Sequence, residues 1–186
     1  MIRLYFGKSG AGKDYFLRQD VKDGWKPIVS YTTRPKRPHE VDGVDYHFVD
    51  YEGFLKAPLF EEREYVTTVA GNKETWHYGS PLLEDYKDEL YVGVVDLKGA
   101  KKYLAQYGAD NIEFVYVDAS DELRMERAKK RGGFDQTEWD RRLADDAVAF
   151  SDEAIKDAFR YARNVFKVEN DFEHGKEVIS RIEMGD

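Results

Sequence analysis

The residues best suited to chemistry are the eight of "GKSGAGKD", Gly7 to Asp14. Gly7, Gly12 and Lys13 meet the spacing G-x-x-x-x-G-K, behind the apolar run "IRLYF" (2–6) and ahead of the amphipathic "KDYFLRQDV" (13–21). A strand before and a helix after are the context in which this spacing cradles phosphate. Glycines let successive amides turn inward, the helix start adds partial positive charge, and the lysine reaches the outer phosphates. Asp14 stands where a hydroxyl residue usually ligates Mg²⁺. Two outcomes are open: the carboxylate, a hard oxygen ligand, holds the metal directly or through water, or it has eliminated nucleotide binding. Retention of Lys13 beside three glycines weighs against the second.

A second reactive stretch is "SYTTRPKRPHEVDGVDYHFVD", Ser30 to Asp50. Arg34 and Arg37 lie three apart in a segment stiffened by Pro35 and Pro38. Two guanidiniums presented together grip one phosphate through forked, charge-assisted hydrogen bonds. Tyr46 and Phe48 alternate along a short strand, so one of them is expected in the core. Asp96 ends an apolar run, where open α/β sheets bind ligands. Arg127 and Arg131 are four apart on a charge-rich helix end, a spacing that also suits a solvated face.

The elements that must position these residues follow from periodicity. "IRLYF" (2–6), "YVGVVD" (91–96) and "IEFVYVD" (112–118) are short runs rich in β-branched and aromatic residues, each followed by a helix-compatible stretch. The expected helices are 13–21, "LKGAKKYLAQYG" (97–108), "SDELRMERAKKRGG" (120–133, capped by Ser120) and a long one over 137–162. A strand "NVFKV" (164–168) and a final helix over 171–184 are expected to close the fold. Alternation of this kind predicts a doubly wound parallel sheet. Residues 32–80 interrupt it with three of the five prolines and a hairpin over 63–79 turning at Gly71 and Asn72, the pattern of an inserted lobe. "KKRGGFDQTE" (129–138) is a basic, glycine-punctuated loop, either a lid or a plain connector.

A chain of 186 residues makes one α/β domain with room for an insertion. Its net charge of −8 argues against general affinity for nucleic acid or an anionic membrane, so an anionic ligand must be held by a local basic cluster. There is no cysteine, which excludes disulfides, thiolate zinc sites and thiol nucleophiles and fits a reducing compartment. The four histidines show no metal-ligand spacing. No apolar stretch approaches a membrane span, and "MIRLYF" has no signal-peptide layout, so a cytoplasmic protein is expected.

The block from "TTRPKR" to "DYHF" resembles guanylate kinase closely. The likeness extends through "HYGS" (77–80), "DLKGAK" (96–101), "RMERAKKRGG" (124–133), "RRLADDA" (141–147) and "VENDFE" (168–173). The resemblance implies a P-loop α/β fold with a core of 1–31 and 81–186, a nucleoside-monophosphate-binding lobe of 32–80 and a short lid at about 131–138. It implies transfer of the γ-phosphoryl group of ATP to GMP or dGMP with Mg²⁺. It assigns ATP to Gly7, Ser9, Gly10, Ala11, Gly12, Lys13, Asp14 and Asn170, with Asp14 as the metal ligand. Arg34, Arg37, Tyr46 and Tyr78 resemble ligands of the GMP phosphate, and Ser30, Glu62, Ser80 and Asp96 the surroundings of the guanine, with Glu61 or Glu64 as alternatives to Glu62. Lys13, Arg34, Arg127, Arg131 and Arg142 resemble the catalytic cations.

Three departures from the family pattern stand out: Asp14, His39 in place of a glycine before Glu40, and an extended hairpin between Glu62 and Tyr78. Asp14 also suits a guanylate-kinase-like enzyme acting on ribose 1,5-bisphosphate, although retention of "TTRPKR", Tyr46, Tyr78, Ser80 and Asp96 favours GMP. A non-catalytic phosphopeptide-binding module is the third reading, disfavoured by Lys13 and the arginines. The expected partners are ATP and GMP, on a monomer or homodimer.

Overall fold

The apolar runs form strands because both of their faces are covered. The computed structural model describes residues 1–181 apart from 39, 70–71, 131–133 and 172–175. Its elements are β1 (Ile2–Phe6), α1 (Lys13–Lys22), β2 (Lys26–Pro27), β3 (Tyr31–Thr32), β4 (His47–Phe48), α2 (Tyr51–Lys56), β5 (Leu59–Val69) and β6 (Asn72–Pro81). They continue as β7 (Tyr91–Val94), α3 (Leu97–Tyr107), β8 (Ile112–Asp118), α4 (Asp121–Lys130), α5 (Gln136–Ala149), α6 (Asp152–Phe159), β9 (Val165–Asp171) and β10 (Lys176–Arg181). They make two compact units, Met1–Lys26 with Tyr86–Asp186, and Pro27–Asp85.

The first unit holds a six-stranded sheet in the order β10-β9-β8-β1-β7-β2. β1 runs parallel to β7 and β8, and β8 to β9. One face of β1 presents Tyr5, which joins Phe16 of α1 with Val92, Val115, Val117 and Val168. The other presents Phe6, stacked on Tyr116 and tilted against Phe159 of α6 at 4.5 Å; Phe159 also meets Phe114. Burial on both faces explains why these strands read as continuous apolar runs. α1 is tied to the sheet by polar contacts as well. Arg3 donates to Asp20 (2.8 Å) and Glu113 (2.6 Å), and the Tyr5 hydroxyl donates to Asp20 (2.7 Å), its pKa pushed up first by burial.

Two expectations are corrected here. The helix expected over 137–162 is two helices, because the Ser151 hydroxyl accepts from the Ala154 amide and Asp152 and Glu153 follow in the first turn, so a new N-terminus starts there. The helix expected over 171–184 is, where described, the strand β10, antiparallel to β9. The open edge of β9 and the β-branched pair Val178 and Ile179 outweigh the helical pattern. Ser120 does cap α4, accepting from the Leu123 amide.

The second unit is a four-stranded sheet in the order β4-β3-β6-β5. β5 and β6 form the long hairpin, paired from Leu59 with Pro81 to Val69 with Asn72, so Asn72 is a strand residue and Gly71 lies outside the described residues. α2, which no apolar period announced, starts where Asp50 accepts from the Gly53 amide (2.7 Å).

Candidate active site

Gly7 to Lys13 leave the carboxyl end of β1 and enter α1. Gly12 is the helix cap, in the left-handed region (φ 100), and has no side chain with which to cap the helix start, where an anion is favoured. A Cβ at Gly12 would lie 2.2 Å from Asn170 Nδ2, and one at Gly7 would lie 2.3 Å from the Val117 carbonyl, so neither position admits a side chain. Lys13 Nζ donates to the carbonyls of Gly7 (2.8 Å) and Lys8 (3.0 Å), which holds the ammonium across the loop. Gly10 turns the loop at φ 79. Asp14 is exposed in the first turn of α1. Among the described residues no group of three or more His, Asp or Glu gathers into a metal cage; Asp14 is a carboxylate beside the loop that could contribute one oxygen ligand to a metal.

Behind the loop, Ala11 is fully buried, and its carbonyl accepts from Asn170 Nδ2 (2.6 Å) and Arg127 Nη1 (3.1 Å). Arg127 Nη2 also donates to the Asn170 carbonyl (3.2 Å). Both residues, expected to touch ATP, thus brace the backbone that would cradle it. Arg142 is exposed on α5, and Arg131 lies outside the described residues. Asp96 is the N-cap of α3, accepting from the Gly99 amide at 2.7 Å. That explains its place at a strand end by local capping.

In the lobe, Arg34 is 5% exposed and forms a forked ion pair with Glu40, Nη2 to Oε1 at 2.6 Å and Nη1 to Oε2 at 3.0 Å. Nη1 also donates to the Pro35 carbonyl (2.8 Å), and Tyr78 is a further hydrogen-bond partner of the guanidinium. The guanidinium hydrogen bonds hold Glu40 below the usual carboxylate range, against the opposing effect of burial, and the Arg37 amide adds a further bond at 2.7 Å. Glu40 is therefore a residue that sequence reasoning passed over, although its spacing from Arg34 and Arg37 was visible. Arg37 itself is exposed, 4.0 Å from Glu40. Tyr46 and Phe48 both face the Arg34 guanidinium, each ring centre 5.5 Å from it, and both are half-buried. Tyr46 meets Tyr78 edge-on at 5.9 Å. Burial first, then Tyr78, raises the Tyr46 pKa, which keeps its hydroxyl a neutral donor.

The carboxylate beside Ser80 is Glu61, not Glu62. Ser80 Oγ donates to Glu61 Oε2 at 2.9 Å, and Glu61 is 5% exposed. Glu62 is exposed, and Glu64 lies 3.5 Å from His77 Nδ1. The register shift between Leu59 and Glu61 decides which carboxylate turns inward, and no residue type announces it. Ser80 and Glu61 are cross-strand partners, and Tyr78 pairs with Arg63 two residues on, so Glu61, Ser80 and Tyr78 share one sheet face. Ser30 is half-buried, and its carbonyl accepts from the His47 amide.

A parallel α/β sheet with a glycine-rich loop leading from a central strand into a helix defines a P-loop phosphate-binding fold. A family model described as guanylate kinase matches residues 4–80. Curated guanylate kinases include that of Zymomonas mobilis, 38% identical over 67% of this chain and 58% of its own length. That of Nitratidesulfovibrio vulgaris is 36% identical over 79% of this chain and 72% of its own, and that of Chlamydia felis 30% identical over 94% and 82%. A solved guanylate kinase from Anaplasma phagocytophilum shares the fold, with a TM-score of 0.55 at 22% identity over 94% of this chain and 78% of that one. The chain belongs to the guanylate kinase family.

Proposed function

We propose that this protein transfers the γ-phosphoryl group of ATP to GMP, forming GDP and ADP. The observation that carries the reading is the lobe face on which a buried carboxylate, Glu61 with Ser80, stands beside the anion-binding group of Arg34, Tyr46 and Tyr78. A carboxylate suits the N1–H and N2–H₂ donors of guanine, and adenine, which lacks them there, would leave it unmatched at a cost of about 1–3 kcal/mol or more. Arg34 and the two tyrosine hydroxyls bind the acceptor phosphate, and Arg37 adds charge at its rim.

The donor triphosphate lies on Gly7–Lys13, where amides and the Lys13 ammonium take its oxygens after the ammonium leaves the Gly7 and Lys8 carbonyls. An acceptor phosphate oxygen attacks the γ-phosphorus in line, one P–O bond forms, the bond to the β-phosphate oxygen breaks, and ADP departs. Asp14 would hold a Mg²⁺ ion, which when bound would supply charge neutralisation for the transfer. Arg131 and Arg142 are assigned to the same neutralisation, residues 131–138 to a lid and 32–80 to the acceptor lobe. No described helix is long and apolar enough to cross a membrane.

Steady-state ADP release with GMP, dGMP, AMP, IMP and ribose 1,5-bisphosphate tests the reading. Turnover is expected with GMP above the others; no turnover with GMP, or preference for ribose 1,5-bisphosphate, would remove it.

A further inference from the structure

One buried ion pair in the first unit has no part in the scheme above. Arg124 of α4 is 1% exposed and Asp146 of α5 is 7% exposed. Arg124 Nη2 donates to Asp146 Oδ2, and Nη1 to Asp121 Oδ1. The pair also holds both backbone groups of Ser9, at the outer turn of the glycine loop. The Ser9 amide donates to Asp146 Oδ2 at 2.9 Å, and the Ser9 carbonyl accepts from Arg124 Nε at 2.7 Å. Trp139 of α5 packs over the guanidinium, its ring centre 5.6 Å away, and closes the pair from water.

Two physical consequences follow. The outer turn of a loop rich in glycine has many conformations, and two hydrogen bonds from a buried, forked pair select one of them. The pair also sets a carboxylate against an amide of a loop meant to hold a polyanion. Alone, that charge would repel phosphate through a poorly screened interior; beside Arg124 it is cancelled. Arg124 and Asp146 also belong to the two helices that flank residues 131–135, so loop shape and helix placement are linked at one point.

We propose that Arg124 and Asp146 are positioning residues for the donor nucleotide, fixing the Ser9 turn of the phosphate loop and balancing charge beneath it. This rests on ATP being the ligand of Gly7–Lys13. The sign of the charge effect separates the proposal from a merely structural role. Arg124→Met leaves Asp146 uncompensated, so ATP affinity should fall about tenfold or more, and the loss relative to the parent should persist as salt rises, because a buried charge is little screened. Asp146→Asn keeps an oxygen for the Ser9 amide and removes the negative charge, so ATP affinity should stay within about threefold of the parent. Adding Asp146→Asn to Arg124→Met should recover most of the lost ATP affinity.

The test is calorimetric binding of MgATP and, separately, GMP to the full chain at two salt concentrations, with thermal melting of each variant. GMP affinity should hold within about twofold throughout, because the lobe is a separate unit with its own polar network. ATP and GMP affinities falling together, or unchanged ATP affinity in Arg124→Met, would overturn the proposal. If Arg124→Met does not fold, Arg124→Lys replaces it: charge is kept and the fork is lost. ATP affinity should then hold within about threefold while turnover falls several-fold, and unchanged turnover would equally overturn the proposal. Failure of the parent protein to bind MgATP would instead remove the proposed function, and this proposal with it.

Discussion

Replacing Glu61 by Gln, with Glu62→Gln as its control, probes the acceptor site at the point where strand geometry selects one of two adjacent carboxylates. Glu61 is buried and accepts from Ser80 Oγ through Oε2, while Glu62 is exposed. A carboxylate carries about four lone-pair sites and can accept from Ser80 and from guanine donors together. An amide offers one oxygen and turns an NH₂ group toward donors. The change removes the charge assistance, worth about 1.5–3 kcal/mol for hydrogen bonds to a charged group. At about 1.4 kcal/mol per tenfold, kcat/KM for GMP should fall about 10- to 150-fold in Glu61→Gln. Glu62→Gln should stay within about twofold, as a substitution at an exposed position usually does. The ratio of kcat/KM for GMP over IMP, which lacks the 2-amino group, should narrow only in Glu61→Gln. A coupled assay of ADP release reads all of these. A larger loss in Glu62→Gln than in Glu61→Gln, or an unmoved GMP/IMP ratio, would refute the assignment of the base contact.

Glu40 should contribute stability that depends on pH in one direction only. Arg34 lowers its folded pKa from the ordinary 4.5, so the contribution is complete above pH 4.5 and disappears as pH falls through the folded value. Urea unfolding of the parent and Glu40→Gln should therefore differ by a constant amount from pH 7 to about 5 and converge below about 4.5; a difference that grows on acidification would contradict the ion pair. Gly12→Ala should weaken MgATP binding about tenfold or more and lower the melting temperature, since a Cβ there meets Asn170 Nδ2 at 2.2 Å in the left-handed region; calorimetry and melting curves check it. Asp14→Ala should raise the Mg²⁺ concentration for half-maximal rate several-fold, and an unchanged Mg²⁺ dependence would remove Asp14 as the metal ligand.

What was legible in the sequence was local. Gly7, Gly12 and Lys13 act through the backbone of one turn, so their spacing alone carries the geometry, and the strand and helix around them follow from adjacent periodicity. β1 and β8 were readable because burial on both faces leaves an unbroken apolar run. Ser120 was readable as a cap because its partner amide is three residues away. Ser151 offered the same signal inside a longer helical pattern, and the competing backbone bond decided for a break.

Features set by distant partners were not legible. β10 is a strand because the edge of β9 accepts it, and nothing within 176–181 states that such an edge exists. Glu61 faces Ser80 because one register shift near Leu59 changes which side of β5 points inward, an effect with a period of two residues and no compositional mark. The pairing of Arg124 with Asp146 joins residues 22 apart on two helices, and their grip on Ser9 spans more than a hundred residues. By itself the sequence determined the loop, its flanking elements and the family. The tertiary structure decided which charges face one another, because a charge in a folded protein takes its role from partners that only packing brings within a few ångströms.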